Sequence, residues 1–214
     1  MPSVELAGIY CIIDADATPS PLALLDEVLA AGVRLVQYRA KRGVERGTVA
    51  TMCARTRATG ALLIVNDDLE SARVADGLHV GQEDLASLDR ASLRASLGKK
   101  ILGVSCSSVD EARAAAHLGA DYLGVGPFAV TASKDDAGAP IGARGVRAIV
   151  DATPLPVAAI GGIELWMLDE VARSGARMAA VISAIARGPD RSENARALVA
   201  RWDALHRSPA ASSP

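Results

Sequence analysis

Asp121-Tyr-Leu-Gly-Val-Gly-Pro-Phe-Ala-Val-Thr-Ala-Ser-Lys134 is the stretch on which the reading of this chain turns. Its first half, Tyr122 to Val125, is a short apolar run of the kind a buried parallel strand needs. Its second half supplies Gly126, Thr131, Ser133 and Lys134: exposed backbone, two hydroxyls and one cation just past the strand's C-terminal end. Taken alone, it reads as an ordinary strand-to-helix loop. Its weight comes from the same pattern recurring on either side.

Upstream, Ile101 to Cys106 reads as a strand and Ser108 to Leu118 as a helix stopped by Gly119. Downstream, a helix from about Arg144 to Asp151 leads to a strand, Pro156 to Ile160, and a helix, Leu165 to Ser174, stopped by Gly175. A last strand runs from Met178 to Ser183 and a last helix from Ser192 to Leu205. Earlier in the chain, strands are expected at Gly8–Ile13, Leu35–Ala40, Leu62–Asn66 and Gly77–Val80. The helices among them open at Pro19-Ser20 and end near Gly32, run from Glu45 to Thr59 before Gly60, from Asp68 to Ala75, and from Ser87 to Leu97 before Gly98. Unbroken alternation at about 25 residues per unit argues for parallel strands joined by right-handed crossovers. Eight such units close as a single (β/α)8 TIM barrel over residues 1–206, with a loose polar tail from 207 to 214. An open doubly wound sheet is the alternative. It is weakened because no Gly-x-Gly-x-x-Gly turn follows the first strand.

Composition narrows the function classes. The chain has 214 residues, half of them hydrophobic but only 3% aromatic, so Ala, Val, Leu and Ile must build the core. With 23 basic and 25 acidic residues there is no nucleic-acid tract, and any anion site must be local. Cys11, Cys53 and Cys106 are odd in number and scattered, which suits neither a metal spacing nor a disulfide framework. No signal peptide and no membrane span is read from the sequence, so a cytoplasmic protein is the expectation.

In a barrel every strand's C-terminal end opens on one face. The ends carry Gln37-Tyr38-Arg39-Ala40-Lys41, Asn66-Asp67-Asp68, His79-Val80-Gly81-Gln82-Glu83-Asp84, Ser105, the 126–134 loop, Gly161-Gly162 and Ile182-Ser183. The opposite connections are routine helix stops, so polar chemistry is gathered on one side. Arg39 and Lys41 should point inward with Gln37, and Lys134 joins them on the rim. Three convergent cations suit a diphosphate. Asp67 and Asp84, at the ends of neighbouring strands, suit Mg²⁺ that also takes substrate phosphate oxygens. Asp68 reads better as a helix cap, and Asp84 reads either as a ligand or as a first-turn residue. Gly161-Gly162 and Ser183 match the general phosphate site of barrels, or form a plain tight turn. His79 is either a core histidine or one that supports the site from behind. A diphosphate pocket on one side and a monophosphate pocket on the other suggest group transfer with diphosphate as leaving group, and the lack of a nucleophile beside a base fits a dissociative reaction.

The ordered motifs resemble one family, the thiamine phosphate synthases, also called thiamine phosphate pyrophosphorylases. They are Val36-Gln-Tyr-Arg-Ala-Lys41, Val65-Asn-Asp-Asp68, Ala75-Asp-Gly-Leu-His-Val-Gly-Gln-Glu-Asp-Leu85, Leu102-Gly-Val-Ser105, Gly119-Ala-Asp-Tyr-Leu-Gly-Val-Gly-Pro127, Thr131-Ala-Ser-Lys134, Ala159-Ile-Gly-Gly-Ile163 and Val181-Ile-Ser-Ala-Ile185. The resemblance implies a Mg²⁺-dependent transferase that joins hydroxymethylpyrimidine diphosphate to hydroxyethylthiazole phosphate, giving thiamine phosphate and diphosphate. It implies that the run Gln37, Tyr38, Arg39, Ala40, Lys41 and Asn66 hold the pyrimidine diphosphate, and that Asp67 and Asp84 hold the metal. Ser105 and Lys134 would reach the diphosphate and the pyrimidine. Thr131, Ala132 and Ser133, with Gly162, Ile182 and Ser183, would line the thiazole phosphate site. Arg39, Lys41, Ser105 and Lys134 would be the catalytic groups, acting on an ionisation that releases a pyrimidine carbocation for capture by the thiazole nitrogen.

The chain departs from the family at Ala129 and Val130, where an aromatic and a proline are usual, at Ser133, where Thr is common, and at Ala40, often acidic. Pro127 and the Gly81-Gln82-Glu83-Asp84 run separate it from the related thiazole tautomerases. A non-catalytic barrel that binds thiamine precursors, and a sugar phosphate isomerase, are the rivals from other classes. Oligomeric state is left open, with a homo-oligomer allowed.

Overall fold

The computed structural model describes residues 5–87, 90–131, 138–188 and 190–207. Its eight strands are β1 (Gly8–Asp14), β2 (Leu35–Arg39), β3 (Leu62–Asn66), β4 (Gly77–Val80), β5 (Ile101–Cys106), β6 (Tyr122–Val125), β7 (Val157–Ile160) and β8 (Met178–Val181). All neighbours pair in parallel, and β8 returns to β1, with Gly8 opposite Met178, to close a barrel in sequence order.

Around it lie α1 (Pro21–Ala30), α2 (Arg46–Thr59), α3 (Leu69–Ala72), α4 (Gln82–Ser87), α5 (Arg90–Leu97), α6 (Val109–Leu118), α7 (Gly142–Ala152), α8 (Leu168–Arg173), α9 (Ser183–Ala186) and α10 (Arg191–His206). Local chemistry sets several of their ends. Pro21 takes the first position of α1, where its missing N–H is no loss. Ser108 caps α6 by accepting from the Glu111 amide, and Asp190 caps α10 by accepting from the Glu193 amide. Gly60 and Gly119 close α2 and α6 at φ 69° and 86°, a left-handed conformation that glycine adopts without steric cost.

Strand alternation divides the core in two. Ile9, Cys11, Ile13, Val36 and Tyr38 face the helices and pack in the outer layer with Leu24, Leu25, Met52 and Trp202. Tyr10, Ile12, Leu35, Ile64, Tyr122, Ala158, Met178 and Ala180 fill the barrel interior. Tyr122 and His79 fit there because each ring lies against a glycine. A Cβ on Gly103 would lie 2.2 Å from the Tyr122 ring, and one on Gly124 would lie 2.9 Å from the His79 ring.

The expected strands and helices are present, with local differences. α4 and α9 are additional helices of 6 and 4 residues, too short to show a helical period in sequence. β8 stops at Val181, because Ile182 turns to φ −116°, ψ −75°, so Ser183 opens α9 instead of ending a strand. β2 stops at Arg39, one residue earlier than expected. Residues 208–214 of the expected tail lie outside the described residues. Among the described residues, no helix is long and apolar enough to cross a membrane.

Candidate active site

A cavity of about 1340 Å³ opens at the C-terminal end of the barrel. Its walls include the ends of β2, β3, β4, β5 and β6, together with the turns after β7 and β8.

β1 and β2 pair in register with Asp14 opposite Arg39, and these two side chains form a part-buried ion pair. Arg39 therefore enters the cavity with its charge already met on one side. Lys41 follows on the rim, its amide donating to Asp16 Oδ2 at 2.8 Å. Gln37 points inward from the same strand, and its Nε2 donates to the Tyr10 hydroxyl at 2.8 Å.

β3 ends in Asn66, whose amide nitrogen donates to the Asp67 carboxylate. Asp67 stands at φ 60°, the one positive-φ residue other than glycine among those described. Left-handed backbone costs a non-glycine residue about 1–3 kcal/mol, so the surroundings must hold it there. Its amide does so in part, donating to the His79 carbonyl at 2.9 Å. Asp68 caps α3 by accepting from the amides of Glu70 and Ser71, as its place before that helix predicted. Asp84 sits in the first turn of α4, and its carboxylate lies against that of Asp67. Burial first, and the Asp84 charge second, push the Asp67 carboxyl up to about 6; the Gly81 amide and the Arg39 charge pull the other way.

Below this rim, His79 is buried against the cavity floor, and burial lowers its imidazole to about 4, so the ring is neutral at pH 7. Its Nδ1 meets the Tyr122 hydroxyl and its Nε2 meets Ser105 Oγ, both at 2.9 Å. Gln82 donates from its side chain to the Ser105 carbonyl.

Across the cavity, the Gly161-Gly162 turn takes φ 98° and 66°. The turn packs directly on the loop after β6: a Cβ on Gly162 would lie 2.4 Å from the Val130 carbonyl oxygen, and one on Gly161 2.8 Å from Pro127. Phe128 and Ala129 donate their amides to the carbonyls of Ile160 and Gly161, at 2.7 and 2.9 Å. These glycines are required both by conformation and by close approach of the neighbouring backbone. Gly162, Ile182, Ser183 and Thr131 all line the cavity.

The chain matches the family model described as thiamine monophosphate synthase over residues 9–185. The chain belongs to the thiamine monophosphate synthase family. It is 41% identical over 197 residues to the thiamine-phosphate synthase of Chloroflexus aurantiacus, covering 89% of this chain and 90% of that one. It is 42% identical over 204 residues to the bifunctional protein ThiM/ThiE of Symbiobacterium thermophilum; this is 92% of the chain, but only 41% of that longer protein. The structure of a thiamine phosphate pyrophosphorylase from Pyrococcus furiosus superposes with a TM-score of 0.84 at 32% identity, covering 94% of this chain and 97% of the other.

With the synthase family shown, the site residues can be set against the positions expected of them. Gln37, Arg39, Ala40, Lys41, Asn66, Asp67, Asp84, Ser105, Thr131, Gly162, Ile182 and Ser183 all line one cavity. Tyr38 does not; it packs between strands and helices, as alternation along β2 requires. Ala132, Ser133 and Lys134 lie outside the described residues. Sequence reading missed Asp14, whose pairing with Arg39 appears only once the register of β1 and β2 is known. It also missed Tyr10, which looks like any core aromatic until the barrel closes.

Proposed function

We propose that this cavity makes thiamine phosphate, joining hydroxymethylpyrimidine diphosphate to hydroxyethylthiazole phosphate and releasing diphosphate. The observation that carries the proposal is the meeting of Asp67 and Asp84 on one wall of the cavity that Gly162 and Ser183 line on another. Two anion-directed places in one enclosure suit two phosphorylated substrates brought together.

The donor set fits Mg²⁺. Two crowded carboxylates, one held up to about 6, repel each other until a cation or a proton comes between them. Among the described residues, no group of three or more acidic, histidine or cysteine side chains is placed to hold a metal. Mg²⁺ commonly uses one or two carboxylates, keeping waters and taking phosphate oxygens. Asp67 and Asp84 would hold it, and when bound it would neutralise charge on the departing diphosphate.

The chain's own residues then do the following. Arg39 and Lys41 attract the diphosphate, and Asp14 fixes the Arg39 guanidinium so that one edge stays turned to the cavity. Ser105 donates to an anionic oxygen. The C–O bond to diphosphate breaks with both electrons leaving on oxygen, and the thiazole nitrogen lone pair forms the new C–N bond. No proton need move, which agrees with a neutral His79 whose two nitrogens are already engaged. Gly162 and Ser183 would hold the thiazole phosphate, with Thr131 and, by resemblance, Ser133; Lys134 keeps the diphosphate role that the resemblance gives it. We place the reaction in the cytoplasm, where charged substrates that cross membranes poorly are made. The described lining comes from one chain, so each copy in a homo-oligomer would carry those groups itself.

The test is thiamine phosphate formation by purified protein with both precursors and Mg²⁺, repeated with EDTA and with Asp67→Ala. Product that vanishes in both controls is expected. No product from folded protein would overturn the function, and product that survives EDTA would overturn the metal assignment alone.

A further inference from the structure

A line of hydrogen bonds crosses the barrel interior from β2 to β5. Gln37 Nε2 donates to the Tyr10 hydroxyl at 2.8 Å, and the hydroxyls of Tyr10 and Tyr122 lie 2.7 Å apart. The Tyr122 hydroxyl is 2.9 Å from His79 Nδ1, and His79 Nε2 is 2.9 Å from Ser105 Oγ. Tyr10, Tyr122 and His79 are all buried, and the last two rings fit against the bare Cα positions of Gly103 and Gly124. Four of the five residues line the substrate cavity; Tyr122 lies behind them.

A phenolic hydroxyl has one proton to give, so in such a line the sense of donation is passed along. With an amide N–H at its head, the sense that satisfies every member has Tyr10 donating to Tyr122 and Tyr122 to His79 Nδ1; the Gln37 side chain also meets the Tyr122 hydroxyl, which keeps the same sense. The imidazole then carries its proton on Nε2 and donates it to Ser105. Ser105 accepts from the ring, and its own proton is free for the cavity. Turning the Gln37 amide so that its oxygen faced Tyr10 would reverse every bond. His79 would then be protonated on Nδ1, and Ser105 would spend its proton on Nε2, leaving only lone pairs for a ligand. Diphosphate oxygens only accept, so they need Ser105 as a donor.

We propose that Tyr10, Tyr122 and His79 are positioning residues that carry the donor sense set at Gln37 to Ser105, holding the Ser105 hydroxyl ready to donate to substrate. The proposal rests on the synthase reading of the cavity. It links a side chain on the β2 wall, where the pyrimidine is expected, to one on the β5 wall, where the diphosphate is expected.

Two measurements decide it. The first is the ¹⁵N spectrum of the imidazole of His79 in the wild-type protein, which needs no turnover. A protonated Nε2 and a bare Nδ1 are expected; the opposite tautomer overturns the proposal whether or not the protein is a synthase. The second is a double-mutant cycle on thiamine phosphate formation. Tyr122→Phe removes only the hydroxyl and is expected to lower kcat roughly three- to tenfold, the worth of one hydrogen bond, with KM for the thiazole phosphate unchanged. In a Ser105→Ala background the same change should alter kcat by less than about twofold, because the path then ends on nothing. Equal losses in both backgrounds would show that Tyr122 acts only on structure and would overturn the proposal. Tyr10→Phe gives the same cycle if Tyr122→Phe does not fold. An inactive wild-type enzyme with the expected tautomer would sink the synthase reading and leave the donor sense standing.

Discussion

Two polar regions share the open end of this barrel and follow opposite rules. In the interior line from Gln37 through Tyr10, Tyr122 and His79 to Ser105, neutral groups satisfy one another, and no buried side-chain nitrogen or oxygen among the described residues lacks a partner. On the rim, Asp67 and Asp84 set two carboxylates together, and Asp67 sits in a left-handed conformation to do so. The buried groups of the interior find their partners within the chain, whereas the rim holds two like charges against each other. On the proposed synthase reading, donors to a released anion can be held rigid, whereas a carboxylate pair that is to take a cation stays electrostatically unfinished until the cation binds.

The largest effect expected from breaking this contrast is on the rim. Asp67→Ala should lower Mg²⁺-dependent thiamine phosphate formation by more than about a hundredfold, beyond what the loss of a supporting group around a metal usually costs. Thermal stability of the metal-free protein should hold, because the substitution also removes crowded charge. Activity within tenfold of wild type, read across a Mg²⁺ titration, would move the metal site elsewhere.

The two regions also oppose each other in pH. Burial lowers His79 from 6.5 to about 4, so the stability of its neutral form is fully present above pH 6.5 and is lost as pH falls through 4. Asp67 is raised from 3.8 to about 6, so its contribution is present below 3.8 and is lost as pH rises through 6. Between these limits the slopes partly cancel in the wild-type protein. Asp67→Asn removes one of them. Its unfolding free energy without metal should fall steadily below pH 6.5, by up to roughly 3 kcal/mol near pH 4. Denaturant melts from pH 4 to 7 would check this, and parallel curves for the two proteins would break the contrast.

Packing gives the next effect. Gly103→Ala would put a methyl 2.2 Å from the Tyr122 ring in a filled interior. The expected cost is about 1–3 kcal/mol, the usual range for overpacking, read as a lower urea midpoint. A change at Gly98, where an added Cβ meets nothing within 4 Å but φ is 58°, tests conformation without packing.

Much of this was legible in the chain and some was not, for identifiable reasons. The units could be read because each pairs a local apolar run with a local stop such as Gly60 or Gly119. The site face could be read because strand ends must share a face once the strands are parallel. Asp68 could be separated from Asp67 because capping is a matter of position along the chain. The interior line could not be read: Tyr10 and Tyr122 are 112 residues apart, and nothing local distinguishes them from core packing. The pairing of Asp14 with Arg39 depends on strand register, which no single strand contains. α4 and α9 were invisible because 6 and 4 residues do not complete a periodic pattern.

The smallest effect is the most discriminating, because its sign should change. Asp84→Asn removes the charge that stands against Asp67 and leaves a side chain of the same shape. Without metal at pH 7, relief of that repulsion should raise stability by about 0.5–1 kcal/mol, the scale of a part-exposed charge pair. With Mg²⁺ in excess, the wild-type protein gains stability by binding, whereas the variant has lost half of its carboxylate pair and gains less. Melting curves of the two proteins should therefore cross in rank as Mg²⁺ is added. A variant less stable than wild type in both conditions would mean that Asp84 is an ordinary first-turn acid of α4, stabilised by the helix end. A variant more stable in both would mean that the two carboxylates are crowded for some purpose other than holding a cation.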